Sequence, residues 1–146
     1  MNKIRMIALA ACMAATLDAS AQEQEIRLFS HRGGRMEHDE NTFSAFQASY
    51  DAGYRGFETD IRMTRDGALV ITHDSSLERT TDGTGTVEEK TEAEIRRLHT
   101  KQGNKVLFLD ELLEFLEGKE GLYVEFEMKT KPEALYPEER LHAYCD

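Results

Sequence analysis

Residues 56–62 read Gly-Phe-Glu-Thr-Asp-Ile-Arg, and residues 122–129 read Leu-Tyr-Val-Glu-Phe-Glu-Met-Lys. Both stretches have the length and composition of strands, and both follow a glycine-containing turn. Side chains alternate between the two faces of a strand. In the first stretch Glu58 and Asp60 therefore share one face, with Phe57, Thr59 and Ile61 on the other. In the second, Glu125, Glu127 and Lys129 oppose Val124, Phe126 and Met128. A half-exposed surface strand alternates in the same way. An open doubly wound sheet, by contrast, buries apolar side chains on both faces. Charges on an inner face near the C-terminal ends of strands suit the mouth of a (β/α)8 barrel.

The stretches around these two strands fit that class. Residues 26–30 read as a short strand ending at His31, and Gly33-Gly34 follows as a turn. Asn41 is a good helix N-cap, Phe43, Phe46 and Tyr50 recur at helical spacing, and Gly53 closes that helix. Asp66-Gly67 is a turn, and residues 68–72 form a third strand. Residues 75–90 are polar and turn-rich, a loop or small hairpin laid over one end of the domain. Thr91 and Glu94 make a capping-box pattern. Leu109, Leu112, Leu113 and Leu116 give a helix one apolar face, and that helix ends at Gly118. Pro137 opens a last helix that runs to the end of the chain. Helices alternating with strands imply an α/β fold with a mostly parallel sheet.

The chain has 146 residues, 40% hydrophobic and 32% charged, enough for one domain with a core. A net charge of -10 argues against a nucleic-acid partner. It leaves room for a phosphate ligand held by local positive groups. Residues 1–21 carry Lys3 and Arg5, an apolar run from Met6 to Leu17, and the small-residue site Ala19-Ser20-Ala21. That pattern is a secretory signal peptide, too short for a transmembrane segment, so the remaining chain is expected to be exported, periplasmic or extracellular. Leu9-Ala10-Ala11-Cys12 also resembles a lipoprotein box, which would make Cys12 a lipid anchor as the lesser alternative. Cleavage after Ala21 leaves Cys145 as a lone spectator thiol.

The chemistry-bearing residues gather at strand ends. Glu58 and Asp60 side by side demand either a raised pKa or a hard, oxygen-binding cation. Glu127 offers a third carboxylate, with Glu125 competing for the role. His31 and His73 each follow a strand, and histidine, with its ordinary pKa of about 6.5, serves as acid and base near neutrality. Arg32 precedes two glycines and is suited to a phosphate. His38, His99 and His142 end no strand and read as surface residues.

Taken in order, the residues of the chain resemble the glycerophosphodiester phosphodiesterase family. The match runs through His31-Arg32-Gly33, Glu40-Asn41-Thr42 with Ala45-Phe46, Gly53, Glu58-x-Asp60, Asp66-Gly67 and Val70. It continues through His73-Asp74, Leu77, Arg79-Thr80-Thr81, Gly85 and Glu127-x-Lys129. The resemblance implies a TIM barrel that hydrolyses glycerophosphodiesters to sn-glycerol 3-phosphate and an alcohol. It implies His31 and His73 as the acid–base pair, and Glu58, Asp60 and Glu127 as ligands of a divalent cation, Ca²⁺ or Mg²⁺. Arg32 and Lys129 are then the substrate contacts, and Glu127 is preferred over Glu125.

Two local departures stand out. Asp39 occupies a place where the family often has Pro, and Leu107-Phe108 replaces Pro-Thr before the Leu109 helix, leaving it without a side-chain cap. Length is the larger departure. A TIM barrel takes about 250 residues, so residues 22–146 are expected to be the truncated N-terminal half, with about four barrel strands. Such a chain is expected to be poorly active or unstable by itself. The alternatives are a non-catalytic half-barrel that binds a glycerophospho ligand or a partner, and a related phospholipase-type phosphodiesterase.

Overall fold

The computed structural model describes residues 27–145. The proposed signal peptide, Cys12 and Ile26 lie outside the described residues. Strand β1 (Phe29–His31) leads into helix α1 (Phe43–Asp51), then strand β2 (Gly56–Met63) and strand β3 (Leu69–Ile71). A single turn of helix, α2 (Glu92–Ile95), precedes helix α3 (Leu109–Leu116), strand β4 (Tyr123–Met128) and helix α4 (Glu138–Cys145). One sheet holds all four strands, with β2 pairing with each of the others.

β1 and β4 flank β2 in parallel, with His31 abreast of Glu58 and Asp60 abreast of Glu127. β3 instead runs antiparallel to β2, pairing Ile61 with Ile71 and Met63 with Leu69. The expected four strands are present, but only β1, β2 and β4 form the parallel wall. The reason is loop length: a parallel return needs a crossover of a dozen or more residues, whereas a tight turn permits only a hairpin. Here the turn closes on itself. Thr64 Oγ1 donates to Asp66 Oδ1 at 2.7 Å and accepts from the Ala68 amide at 2.8 Å, while Gly67 takes φ +94°.

The capping box at Thr91 forms as expected, with the Thr91 hydroxyl and the Glu94 carboxylate exchanging backbone bonds. Two other expectations need correction. The N-cap of α1 is Thr42, whose hydroxyl accepts from the Ala45 amide at 3.2 Å, not Asn41. On α3 Leu112 is buried and Leu109 and Leu116 pack against the core as expected, but Leu113 is exposed and Phe115 is buried in its stead. Phe115 wins that place because its ring meets Phe43 and Tyr50 of α1 edge-on, at 5.3 and 6.3 Å. α3 indeed starts without a side-chain cap at Phe108, and the Glu111 carboxylate accepts the Phe108 amide at 3.0 Å instead.

The main core lies between β2 and the helices, built on Phe46, Phe57, Ile61, Leu112 and Phe115. Each such side chain contributes about 1.5–3 kcal/mol by leaving water. A second cluster, Val70, Leu77, Val87, Ile95 and Phe108, anchors the turn-rich segment over the other side of β3. The packing therefore falls on the Phe57–Ile61 face of β2, and the opposite row of Glu58 and Asp60 is left for other work. At the sheet's edge β4 leaves Tyr123, Phe126 and Met128 exposed.

Candidate active site

β1 ends on His31, an exposed residue whose Nε2 stands 3.6 Å from Glu58 Oε2. The chain then bends sharply. Arg32 adopts a left-handed φ of +53°, and its amide donates to the Glu58 carbonyl at 2.9 Å and to Glu58 Oε2 at 3.2 Å. A left-handed non-glycine residue costs energy, and these two bonds help hold it. Gly33 follows at φ +74°, where an added Cβ would lie 3.0 Å from the Ala45 Cβ and 3.1 Å from the Phe46 nitrogen. The turn is thereby pressed onto the start of α1.

Three carboxylates converge beyond this turn. Glu58, Asp60 and Glu127 each offer an oxygen within 4.8 Å of the other two. The parallel register of β2 and β4 accounts for the choice of Glu127: it sits abreast of Asp60, whereas Glu125 sits abreast of Glu58 and is outside the cluster. Asp60 is fully buried. Its Oδ2 accepts from Asn41 Nδ2 at 3.0 Å and faces Arg32 Nε at 3.2 Å. Its Oδ1 accepts no hydrogen bond of good geometry and faces Lys129 Nζ at 3.1 Å. Lys129 also touches Glu127 Oε1 at 2.6 Å. Burial alone would lower the Lys129 pKa, but Glu127 and Asp60 outweigh it and hold the ammonium above its ordinary value. Burial, with Asp60 adding repulsion, raises the Glu58 carboxyl. A cluster of oxygen donors, one of them buried without a hydrogen bond, fits a hard divalent cation.

Asn41 is a site residue that sequence reasoning assigned to the wrong role. It is buried, left-handed at φ +57°, and bridges two β2 side chains by accepting from Thr59 Oγ1 at 3.1 Å and donating to Asp60. The usable signal was the following residue: Thr42 can cap α1 itself, which frees Asn41, a residue type that tolerates positive φ.

His73 reaches the same region by the hairpin. The Thr72 amide bonds to the Asp60 carbonyl at 2.9 Å, so the return arm ends beside the carboxylates. His73 Nδ1 lies 2.6 Å from Asp74 Oδ1. Arg79 clamps Asp74 through Nε and holds Glu40 with two bonds, at 2.7 and 3.0 Å. Glu40 in turn meets Arg32 Nη1 at 3.1 Å. Alternating charges thus run without a break from Lys129 through Asp60, Arg32, Glu40 and Arg79 to Asp74, which meets the His73 ring. The Arg79 hydrogen bond pulls the Asp74 carboxyl down to about 2, against the opposing effect of burial and with help from His73. An ionised Asp74 is an acceptor only, which places the proton of neutral His73 on Nδ1 and leaves Nε2 free to take one.

The sign of that shift predicts an acid limb. A carboxyl whose folded pKa lies below its ordinary 3.8 stabilises the fold above that value, and the contribution is lost as pH falls towards 2. Urea unfolding across this range is expected to show a steeper loss of stability for the unaltered chain than for Asp74→Asn. Equal slopes would remove Asp74 from the acid response.

The remaining histidines, His38, His99 and His142, are exposed, and so is the Cys145 thiol. No described helix is long and apolar enough to cross a membrane.

The profile of the Glycerophosphoryl diester phosphodiesterase family matches residues 31–144. The chain belongs to the glycerophosphoryl diester phosphodiesterase family. Among its relatives in that family is a glycerophosphodiester phosphodiesterase from Caldanaerobacter subterraneus subsp. tengcongensis, 36% identical over 123 residues, which span 78% of this chain and 50% of the relative. The crystal structure of the glycerophosphodiester phosphodiesterase from Agrobacterium tumefaciens superimposes with a TM-score of 0.68 at 31% identity, covering 82% of this chain and 62% of that one. An Oleispira antarctica phosphodiesterase, solved in complex with the product sn-glycerol-3-phosphate, superimposes at 0.66 with 29% identity, covering 71% of this chain and 44% of that one. The fold is therefore that of the family's TIM barrel, with β1, β2 and β4 forming part of its wall. The chain spans about half the length of the curated relatives it matches.

Proposed function

We propose that this chain carries the acid–base and cation-binding part of an exported enzyme that hydrolyses glycerophosphodiesters to sn-glycerol 3-phosphate and an alcohol. The observation that carries the reading is the meeting of Glu58, Asp60 and Glu127 within 4.8 Å. Family membership and the Oleispira antarctica complex support the substrate class.

A phosphodiester is anionic and repels a nucleophile. Glu58, Asp60 and Glu127 would hold a divalent cation, Ca²⁺ or Mg²⁺, which when bound neutralises charge on the non-bridging oxygens. Arg32 and Lys129 border the same carboxylates, at 3.2 and 3.1 Å from Asp60, and would meet the phosphate oxygens. His31 and His73 divide the proton work. One takes the proton of the attacking water, or of the neighbouring glycerol hydroxyl, as its oxygen bonds to phosphorus; in the second case a cyclic phosphate forms, which a water must then open to give glycerol 3-phosphate. The other gives a proton to the alcohol oxygen as the ester P–O bond breaks. Asp74 keeps His73 in one tautomer for its part of this exchange. The leader pattern in residues 1–21 supports action outside the cytoplasm.

Incubation of the chain with glycerophosphocholine, followed by enzymatic detection of glycerol 3-phosphate, tests this. Release is expected to stop on chelation and to return with added Ca²⁺ or Mg²⁺. A folded chain that binds glycerophosphocholine and never turns it over, or turnover indifferent to chelator, overturns the reading.

A further inference from the structure

The row of side chains on the site face of β2 does not stop at Asp60. Arg62 continues it, and Arg62 is only 5% exposed. Its guanidinium donates to three acceptors: Nε to the His73 carbonyl at 2.9 Å, and Nη1 to the Lys131 carbonyl and to Glu88 Oε1, both at 2.8 Å. Glu88 is equally secluded at 4% exposed. Its Oε1 also accepts from the Tyr136 hydroxyl at 2.7 Å, and its Oε2 from Ser75 Oγ at 2.7 Å.

A buried ion pair is weak evidence for stability, since apolar side chains of similar volume often do as well. What an apolar pair cannot do is grip carbonyls. The two that Arg62 grips belong to the segments that carry the proposed chemistry. One is the backbone of His73 itself, and the other lies two residues beyond Lys129. Ser75 adds a second tie from Glu88 to the His73 segment. Neither Arg62 nor Glu88 makes a hydrogen bond or ion pair with the His73 ring or the cation-binding carboxylates, so their influence passes through backbone.

We infer that Arg62, held in place by Glu88, is a positioning residue that sets the His73 and Lys129 segments against the carboxylate row of β2. The inference rests on the proposed roles of His73 and Lys129. The planar guanidinium fork suits this task because it reaches both carbonyls and the carboxylate at once, which a lysine ammonium on its flexible stem does not reproduce.

Two variants test it: Arg62→Met combined with Glu88→Leu, which removes both charges together, and Arg62→Lys, which keeps the positive charge. Thermal unfolding reports the fold. The nitrogen-15 spectrum of the His73 ring reports the Nδ1–H bond to Asp74. Steady-state kinetics on glycerophosphocholine separate kcat from KM. The folded double variant is expected to lose about 10²-fold in kcat with a smaller change in KM, and to show a broadened or shifted His73 Nδ1–H signal. A folded double variant with unchanged kcat and an unchanged ring signal overturns the inference. Should the double variant not fold, Arg62→Lys is held to the same two criteria. Should the unaltered chain show no turnover, the proposed function fails instead, and the ring signal alone decides: lost or shifted supports the positioning role, unchanged overturns it.

Discussion

His73→Ala is expected to lower the release of glycerol 3-phosphate by about 10²–10⁴-fold, the range over which a positioned general acid or base contributes. Stability should hardly move. The His73 side chain is 34% exposed, and the bond that fixes it is to Asp74, which keeps its own clamp from Arg79. Substitutions at such partly exposed positions usually change stability by less than about 0.5 kcal/mol. Loss of a proton-transfer group acts on the transition state, so kcat should fall with KM nearly unchanged. Cation binding, measured by calorimetry, should persist because His73 is not among the clustered carboxylates. A chain that keeps its kcat after this substitution would take His73 out of the chemistry. A chain that loses kcat and cation binding together would mean that the hairpin, and not the imidazole, had been disturbed.

The parts of this site that were legible in sequence are those governed by short periods. Glu58 and Asp60 alternate with Phe57 and Ile61, and a period of two places them on one face wherever the strand ends up. The Thr91–Glu94 box needs only four residues and forms as written. Glu127 over Glu125 was another matter. Alternation puts both on the same face; the preference for Glu127 came from the family resemblance, and the register of β4 against β2 supplies its physical reason by bringing Glu127 beside Asp60. The direction of β3 was open to inference from the brevity of the Asp66-Gly67 turn, and the fold shows that this turn decides it. Asn41 and the Arg62–Glu88 pair lie at the far end of the scale. Asn41 meets Asp60 across 19 residues, Arg62 meets Glu88 across 26, and Glu88 meets Tyr136 across 48. No local period carries such pairings. They follow from how the loops close over the strand ends, which is where a barrel keeps its chemistry.

Asp60→Asn should separate the structural task of this carboxylate from its proposed task as a cation ligand. The amide keeps the shape and removes the charge, leaving Arg32 and Lys129 facing a neutral group at 3.2 and 3.1 Å. Breaking a buried ion pair on one side costs about 3–5 kcal/mol, a large share of the roughly 5–15 kcal/mol that holds a domain together. Two effects soften this. Glu40 still answers Arg32 and Glu127 still answers Lys129, at 3.1 and 2.6 Å. Glu58, raised first by burial and then by Asp60, is also relieved of a like charge. Loss should still prevail, because the two like-charged neighbours, Glu58 and Glu127, stand off within 4.8 Å whereas Arg32 and Lys129 meet the fully buried oxygen pair directly, at 3.2 and 3.1 Å. Urea unfolding should therefore show a clear drop in stability. The second measurement is linkage. A cation that binds the folded chain alone stabilises it by about 2.7 kcal/mol at a hundred times its dissociation constant. Added Ca²⁺ or Mg²⁺ should raise the melting temperature of the unaltered chain and leave that of Asp60→Asn where it was. An equal rise in both would show that the cation sits elsewhere, and the cluster of Glu58, Asp60 and Glu127 would then be a device for holding Lys129.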